Sequence, residues 1–307
     1  ERLRDAAALF QPEMLVQSPD GAPVFRRRQL LRNQATADPE DEMMSMLYRK
    51  QVEFAVGHGV AVQAELAEGH FDRAWRLRTQ VAPSFELPRV APPTAADYPA
   101  LAGVELDMQR LSQLADGELA AALQPLAQAY DLWIQARQAE SGDVPNYVPY
   151  AAQALDACRA TLERIRAGID LLGTNPQAAR AFRFANRAMA LQRIHTLFVE
   201  ELRRNDQARL EDLDIPKNRS WYPFQLAFIL LNLPALADPL HAERSHPTQA
   251  IADVLWFPTG GGKTEAYLGL TAFTLGLRRL QGIMGDHDGS AGVAVLMRYT
   301  LRLLTLQ

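Results

Sequence analysis

The chain has 307 residues, enough for about two domains. With 48% hydrophobic and 22% charged residues it reads as soluble and globular, and a formal net charge of −4 excludes the global basic field of a small, purely electrostatic nucleic-acid binder. The single cysteine, Cys158, excludes an intrachain disulfide framework and a zinc ribbon and fits a cytoplasmic protein.

The start, Glu1-Arg-Leu-Arg-Asp5, is charged and carries no secretory signal; the missing initiator Met reads as a piece of a longer protein. Residues 1–50 look helical and irregular. Within them Arg26-Arg27-Arg28 is a short basic run, read as a solvated surface with a phosphate contact as the alternative. Residues 53–62, with His58 in a turn between Gly57 and Gly59, favour extended structure. Trp75, Leu77, Thr79 and Val81 alternate as in a half-buried strand. A small β-element is expected here, followed by an irregular connection punctuated by Pro83, Pro88, Pro92, Pro93 and Pro99.

From 118 to about 205 the pattern is helical. Leu119, Leu123, Leu126, Tyr130 and Trp133 form one apolar stripe. Leu155, Cys158, Leu162, Ile165, Ile169 and Leu172 form a second. The stretch from Ser141 to Pro149 separates the two helices. Asn175-Pro176 reads as an N-cap followed by proline at the first helical position, opening a third helix. Three long helices with short links predict an antiparallel helical module. Arg180, Arg183 and Arg187 share a face of the third helix beside Asn186. That face is read as solvated or as packing on a neighbour, with a phosphate-tracking or partner-binding face as the alternative. Phe182, Phe184, Met189, Leu191 and Phe198 are assigned to the core.

The most informative stretch is Phe257-Pro-Thr-Gly-Gly-Gly-Lys-Thr-Glu265. It joins the apolar run 251–256 to an amphipathic helix, and strand, glycine-rich turn and helix is the context of a phosphate-binding loop. Three glycines let successive N–H groups point at one anion, and the helix N-terminus adds partial positive charge. Lys263 then reaches the β- and γ-phosphates of ATP, and the Thr264 hydroxyl takes Mg²⁺. Nucleotide contacts fall on Thr259, Gly260, Gly261, Gly262, Lys263, Thr264 and Glu265, with Lys263 and Thr264 in the catalytic roles. The first motif position falls on Phe257, where a small residue is usual. A chance glycine turn is the alternative, and the strand-to-helix context argues against it.

Strand 251–257, helix 264–280 and strand 292–297 predict a βαβ crossover. Ala266, Leu270, Phe273, Leu277 and Leu280 form the buried stripe of its helix. Gly269 and Gly276 are explained by close packing on the sheet. Asp286, His287 and Asp288 lie in a loop read as acidic surface rather than a metal site. The longest apolar stretch, 226–236, contains Asn232 and Pro234 and is too short to cross a bilayer, so no membrane partner is expected.

Three segments together, Trp221-Tyr-Pro-Phe-Gln225, the glycine turn, and Val293-Ala-Val-Leu-Met297 running into Arg298-Tyr-Thr-Leu-Arg302, resemble superfamily 2 helicases. The resemblance implies that Gln225 reads adenine, a task suited to an amide, and that Thr300 meets the nucleic-acid backbone. The arginine often found shortly before this glutamine is replaced by Tyr222. Beside Thr300, Arg298 and Arg302 can pair with phosphate oxygens and Tyr299 can stack on a base; interdomain packing is the alternative. The wording of 257–270 and 297–307, with Ala181-Phe-Arg-Phe-Ala-Asn-Arg-Ala-Met189 and the Gly57-His-Gly59 turn, is similar to the DrmA family of helicase subunits of the DISARM phage-defence system. That family implies a large DNA-dependent ATPase that binds DNA with a single-stranded portion and works with the DISARM core protein DrmB.

The expected architecture is α/β with a large helical N-terminal region: 1–117 mixed α/β, 118–210 helical, and 211–307 the first part of a RecA-like phosphate-loop domain. A helicase also needs an acidic motif and arginine fingers, which this chain lacks, so weak binding and poor hydrolysis of nucleotide are expected of it alone. It is read as the N-terminal part of an ATP-dependent DNA helicase or translocase. The alternative is a nucleotide-gated scaffold that assembles with a partner on DNA without unwinding it. A small-molecule kinase is a weaker possibility, opposed by Gln225 and Thr300.

Overall fold

The alternation at Trp75, Leu77 and Thr79 becomes the longest strand of the computed structural model, which describes residues 12–28, 38–82, 91–257 and 261–298. The fold is mixed α/β, predominantly helical with a small antiparallel sheet. The chain divides into two units, one drawn from Glu1–Arg89 and Glu140–Ala154, the other from Val90–Ala139 and Leu155–Gln307.

The first unit holds the sheet. Strand β4 (Arg73–Gln80) lies in the middle, with β1 (Leu15–Gln17) and β2 (Phe25–Arg26) along one edge and β3 (Ala61–Leu66) along the other. Every pairing is antiparallel. Arg76 sits opposite Gln17 on one side and Glu65 on the other. Its guanidinium bridges the three strands, at 3.1 Å to Gln17 Oε1 and 3.0 Å to Glu65 Oε1. Such cross-strand pairs hold register. Extended pairing begins at Ala61 rather than at 53. The reason lies at Gly57, where a Cβ would overlap the Val60 carbonyl, and at Gly59, whose φ is +77°: this glycine pair is a tight turn. Helix α1 (Pro39–Leu47), capped by Asp38, packs Met46 against Val144 and Ala151.

The second unit is helical. It contains α2 (Met108–Gln113), α3 (Glu118–Ala139), the part of α4 (Val148–Thr174) from Leu155 onward, and α5 (Pro176–Leu202). The short α6 (Leu210–Leu213) follows, then α7 (Pro223–Ala237), the short α8 (Ala242–Ser245) and α9 (Lys263–Gln281). The predicted cap is present: Asn175 Oδ1 accepts from the Ala178 N–H at 3.0 Å. Both predicted stripes face one core, with Leu119, Leu123, Leu162, Ile165, Ile169 and Leu172 buried and Trp133 left at its margin. Helix α4 crosses α7 at Gly168, where a Cβ would overlap the Leu230 carbonyl.

Two core assignments on α5 fail. Phe182 and Met189 are buried, but Phe184 and Leu191 are 53% and 50% exposed. These two lie seven residues apart on a face turned from the stripe that Ala178, Phe182, Ala185 and Met189 bury.

The βαβ crossover is also not formed among the described residues. Helix α9 is present, but 251–257 and 293–298 carry no strand pairing. Val254, Trp256, Val293 and Leu296 are all more than four-fifths exposed. Parallel strands with apolar residues on both faces persist only when neighbouring strands and covering layers satisfy them. No such neighbour lies among the described residues, and the RecA-like sheet is not formed there. The loop after α9 instead folds into a hairpin, β5 (Ile283–Met284) with β6 (His287–Asp288). Among the described residues no helix is long and apolar enough to cross a membrane.

Candidate functional site

The site begins with the short pairing that brings Trp221 inside. Asp107 caps α2 by accepting from the Gln109 N–H at 2.9 Å, and its carboxylate also takes the Arg219 guanidinium at 2.9 and 3.2 Å. Backbone bonds Met108 N to Arg219 O (3.1 Å) and Trp221 N to Leu106 O (2.9 Å) complete the bridge. The hydrogen bond that Arg219 donates to Asp107 holds the Arg219 pKa above its ordinary value. Trp221 is 2% exposed, and its indole N–H donates to Asn186 Oδ1 at 2.7 Å. Asn186 Nδ2 donates to the Phe182 carbonyl at 2.9 Å. Asn186 is therefore an interior residue rather than a member of the arginine face. Arg183 leaves that face too, pairing with Asp116 at 2.7 Å.

Helix α7 starts immediately after Trp221. Tyr222 is its N-cap, Pro223 its first residue, and Gln225 stands at the third position, 3% exposed. Gln225 Oε1 accepts from the Tyr222 N–H at 2.8 Å. Gln225 Nε2 donates to the Gly262 carbonyl at 2.7 Å. Gly262 is the N-cap of α9 with φ +92°, and a Cβ there would sit 2.6 Å from Gln225 Nε2. Only glycine permits both the backbone conformation and this approach.

Helix α9 is held along its length. Added Cβ atoms at Gly269 would stand 2.8 Å from Ile229 Cδ1 and from the Trp221 ring, and at Gly276 3.0 Å from Phe184. These glycines accommodate helices and an indole, not the sheet that was expected. At the far end Arg278 donates to the Leu236 carbonyl at 2.8 Å and Gln281 to the Ala237 carbonyl at 2.7 Å, capping the last turn of α7. Burial beside Arg244 lowers the Arg278 pKa, with burial the larger cause. Start meets start and end meets end, so α7 and α9 run parallel. Their two N-termini, each with partial positive charge, open at the same place.

Phe257, the unusual first residue of the glycine motif, stacks on Phe224 at 4.3 Å and 13°, and Phe224 on Tyr222 at 6.1 Å. Its carbonyl accepts from Lys263 Nζ. Gly261, Gly262, Lys263 and Glu265 are half-buried and Thr264 is exposed at the first turn of α9. A helix start with a left-handed glycine, an adjacent lysine and an exposed threonine hydroxyl suits a phosphate and a hard cation. Thr259 and Gly260 lie outside the described residues, as do Tyr299, Thr300 and Arg302; Arg298 is exposed. The segment leading into the loop is anchored by Arg164, which grips Asp253 at 2.7 and 2.8 Å and Glu243 at 3.0 Å. Asp253 is the leading cause of the raised Arg164 pKa. Among the described residues no three His, Cys, Asp or Glu side chains gather as a metal site.

Sequence reasoning missed the parallel pairing of α7 and α9 and the interior role of Asn186. The signals were there: Gly269 and Gly276 mark close approaches, and Asn186 falls four residues after Phe182 on the buried stripe.

No protein-family model matches the chain. The chain is 36% identical over 307 residues to the DISARM protein DrmA of Bacillus paralicheniformis (strain ATCC 9945a / NCIMB 11709 / CD-2), a match covering 98% of this chain and 26% of that protein. The identity runs along nearly the whole chain and supports the DrmA assignment that its motifs carry. The chain spans about a quarter of the length of that relative.

Proposed function

We propose that this chain is part of an ATP-dependent DNA motor of DISARM antiphage defence, and that the turn at Gly261–Thr264 holds the triphosphate. One observation carries the reading: Gln225 reaches from the start of α7 to the Gly262 carbonyl at 2.7 Å, joining the aromatic-glutamine segment to the glycine loop. Two parallel helix starts then act on one anion. Amides of Gly261 and Gly262 line the phosphate, Lys263 leaves the Phe257 carbonyl to reach it, and Thr264 takes Mg²⁺. The likeness to a DISARM protein supplies the setting; DrmB and DNA carrying a single-stranded portion are the partners this reading proposes.

In this reading 251–257 and 292–297 are strands of a RecA-type sheet completed by polypeptide outside this chain. Their exposed Val254, Trp256, Val293 and Leu296 favour it. Arg298, Tyr299, Thr300 and Arg302 then follow the second strand towards the DNA backbone. The acidic motif and arginine fingers come from the same outside polypeptide.

The test is DNA-stimulated ATP turnover by the complete protein carrying Lys263→Ala. Turnover collapses while the fold survives, because the lysine stabilises charge in the transition state as well as in the bound state. Parent-like turnover ends the motor reading.

A second reading, a nucleotide-gated scaffold without strand separation, draws on Leu191, Val199 and Leu202. These exposed residues form one apolar stripe along α5 suited to a partner. Forked-DNA unwinding, measured beside partner assembly with non-hydrolysable nucleotide, separates the two.

A further inference from the structure

The strongest unassigned feature lies in the first unit, away from the glycine loop in sequence and within one folded body. Arg26, Arg27, Arg49 and Arg73 line a cavity of about 590 Å³ with Phe71 and Tyr147. Arg26 and Arg73 are direct partners across the antiparallel β2–β4 pair. Like charges placed opposite one another destabilise a sheet. Among the described residues no carboxylate forms an ion pair with any of these four arginines.

Asp72 and Asp143 share the cavity wall, so four guanidinium groups stand against two carboxylates. Arg27 and Arg49 are half-buried and partly occupied, donating to the Arg49 carbonyl at 3.1 Å and the Met46 carbonyl at 3.0 Å. These bonds fix where the two cations stand and leave donors of each fork available. Four cations lining one cavity beside only two carboxylates, with none of the four in an ion pair among the described residues, are stabilised by an anion with several acceptor oxygens. The volume falls within the range of small-ligand sites. Phe71 and Tyr147 add flat apolar faces, and Asn146 an amide that can bond a base edge.

We propose that this cavity is a nucleotide site, taking a phosphomonoester on the arginines and the base against Phe71 and Tyr147. The phosphomonoester belongs either to a free nucleoside monophosphate or to the end of a single strand. The cavity shares no residue with the glycine loop, and the proposal does not depend on what that loop binds.

The test uses the 307-residue chain and calorimetry with nucleoside monophosphates, inorganic phosphate, and a short single-stranded oligonucleotide with and without a terminal phosphate. Arg26→Gln with Arg73→Gln weakens monophosphate binding about tenfold or more, the loss expected for charge-assisted contacts, whereas Lys263→Ala leaves it unchanged. Phe71→Ala, at an exposed position, weakens the nucleotide but not inorganic phosphate, and reads the site should the double variant fail to fold. Tighter binding of the phosphorylated oligonucleotide than of the free monophosphate identifies a strand end; the reverse identifies free nucleotide. The proposal is overturned by no monophosphate binding, by binding lost in Lys263→Ala but kept in the arginine variant, or by equal competition from an acidic peptide.

Discussion

Gln225 ties two helix starts together: its Oε1 accepts from the Tyr222 N–H at 2.8 Å and its Nε2 donates to the Gly262 carbonyl at 2.7 Å. Gln225 itself is 3% exposed, so its amide has little access to water. Gln225→Leu removes both bonds and leaves two partly buried backbone groups without these partners, at a cost of about 1 kcal/mol. Urea unfolding measures the loss. Hydrogen exchange at the first turn of α9 accelerates with it, because that turn loses its tether.

Asn186 and Trp221 offer a second buried pair with an optical signal. Asn186→Leu orphans the indole N–H now bonded at 2.7 Å. Stability falls by about 1–3 kcal/mol, and Trp221 emission shifts as its environment changes. A stability equal to the parent contradicts the interior placement of Asn186.

Gly168 sets helix propensity against packing. On propensity alone, Gly168→Ala inside α4 stabilises by about 1 kcal/mol. The new methyl overlaps the Leu230 carbonyl of α7, so the helices must part. Backbone cannot yield as a flexible side chain does, and the net effect is a loss of about 1–3 kcal/mol. A raised melting temperature contradicts the α4–α7 crossing.

Arg164 restrains the approach to the glycine loop. Its side chain is 18% exposed, and its partners Glu243 and Asp253 are each 22% exposed, so solvent screens these pairs only in part. Arg164→Ala costs about 1–2 kcal/mol. The sharper result is local: amide exchange in 251–257 rises while that in α5 holds.

Helices were legible because their signals are local. Asn175-Pro176 opens α5, and the stripe through Leu162, Ile165, Ile169 and Leu172 faces the core. Phe184 and Leu191 show the limit of composition as a guide, because a large apolar residue can stand on the outer face of a helix. The strands expected at 251–257 and 292–297 depend on neighbours, and local apolar pattern cannot supply them. The glycine loop was legible as a motif, from Gly262, Lys263 and Thr264. Its tether to Gln225 was not, since that contact spans 37 positions and arises only when α7 and α9 lie parallel.

The most direct measurement of the central claim is calorimetric titration of the chain with Mg²⁺-ATP, with Arg26→Gln and Arg73→Gln present so that the glycine loop is read alone. The account predicts saturable binding that Lys263→Ala weakens at least about tenfold, as loss of a charge-assisted phosphate contact requires. Binding of equal strength with and without the Lys263 ammonium contradicts it.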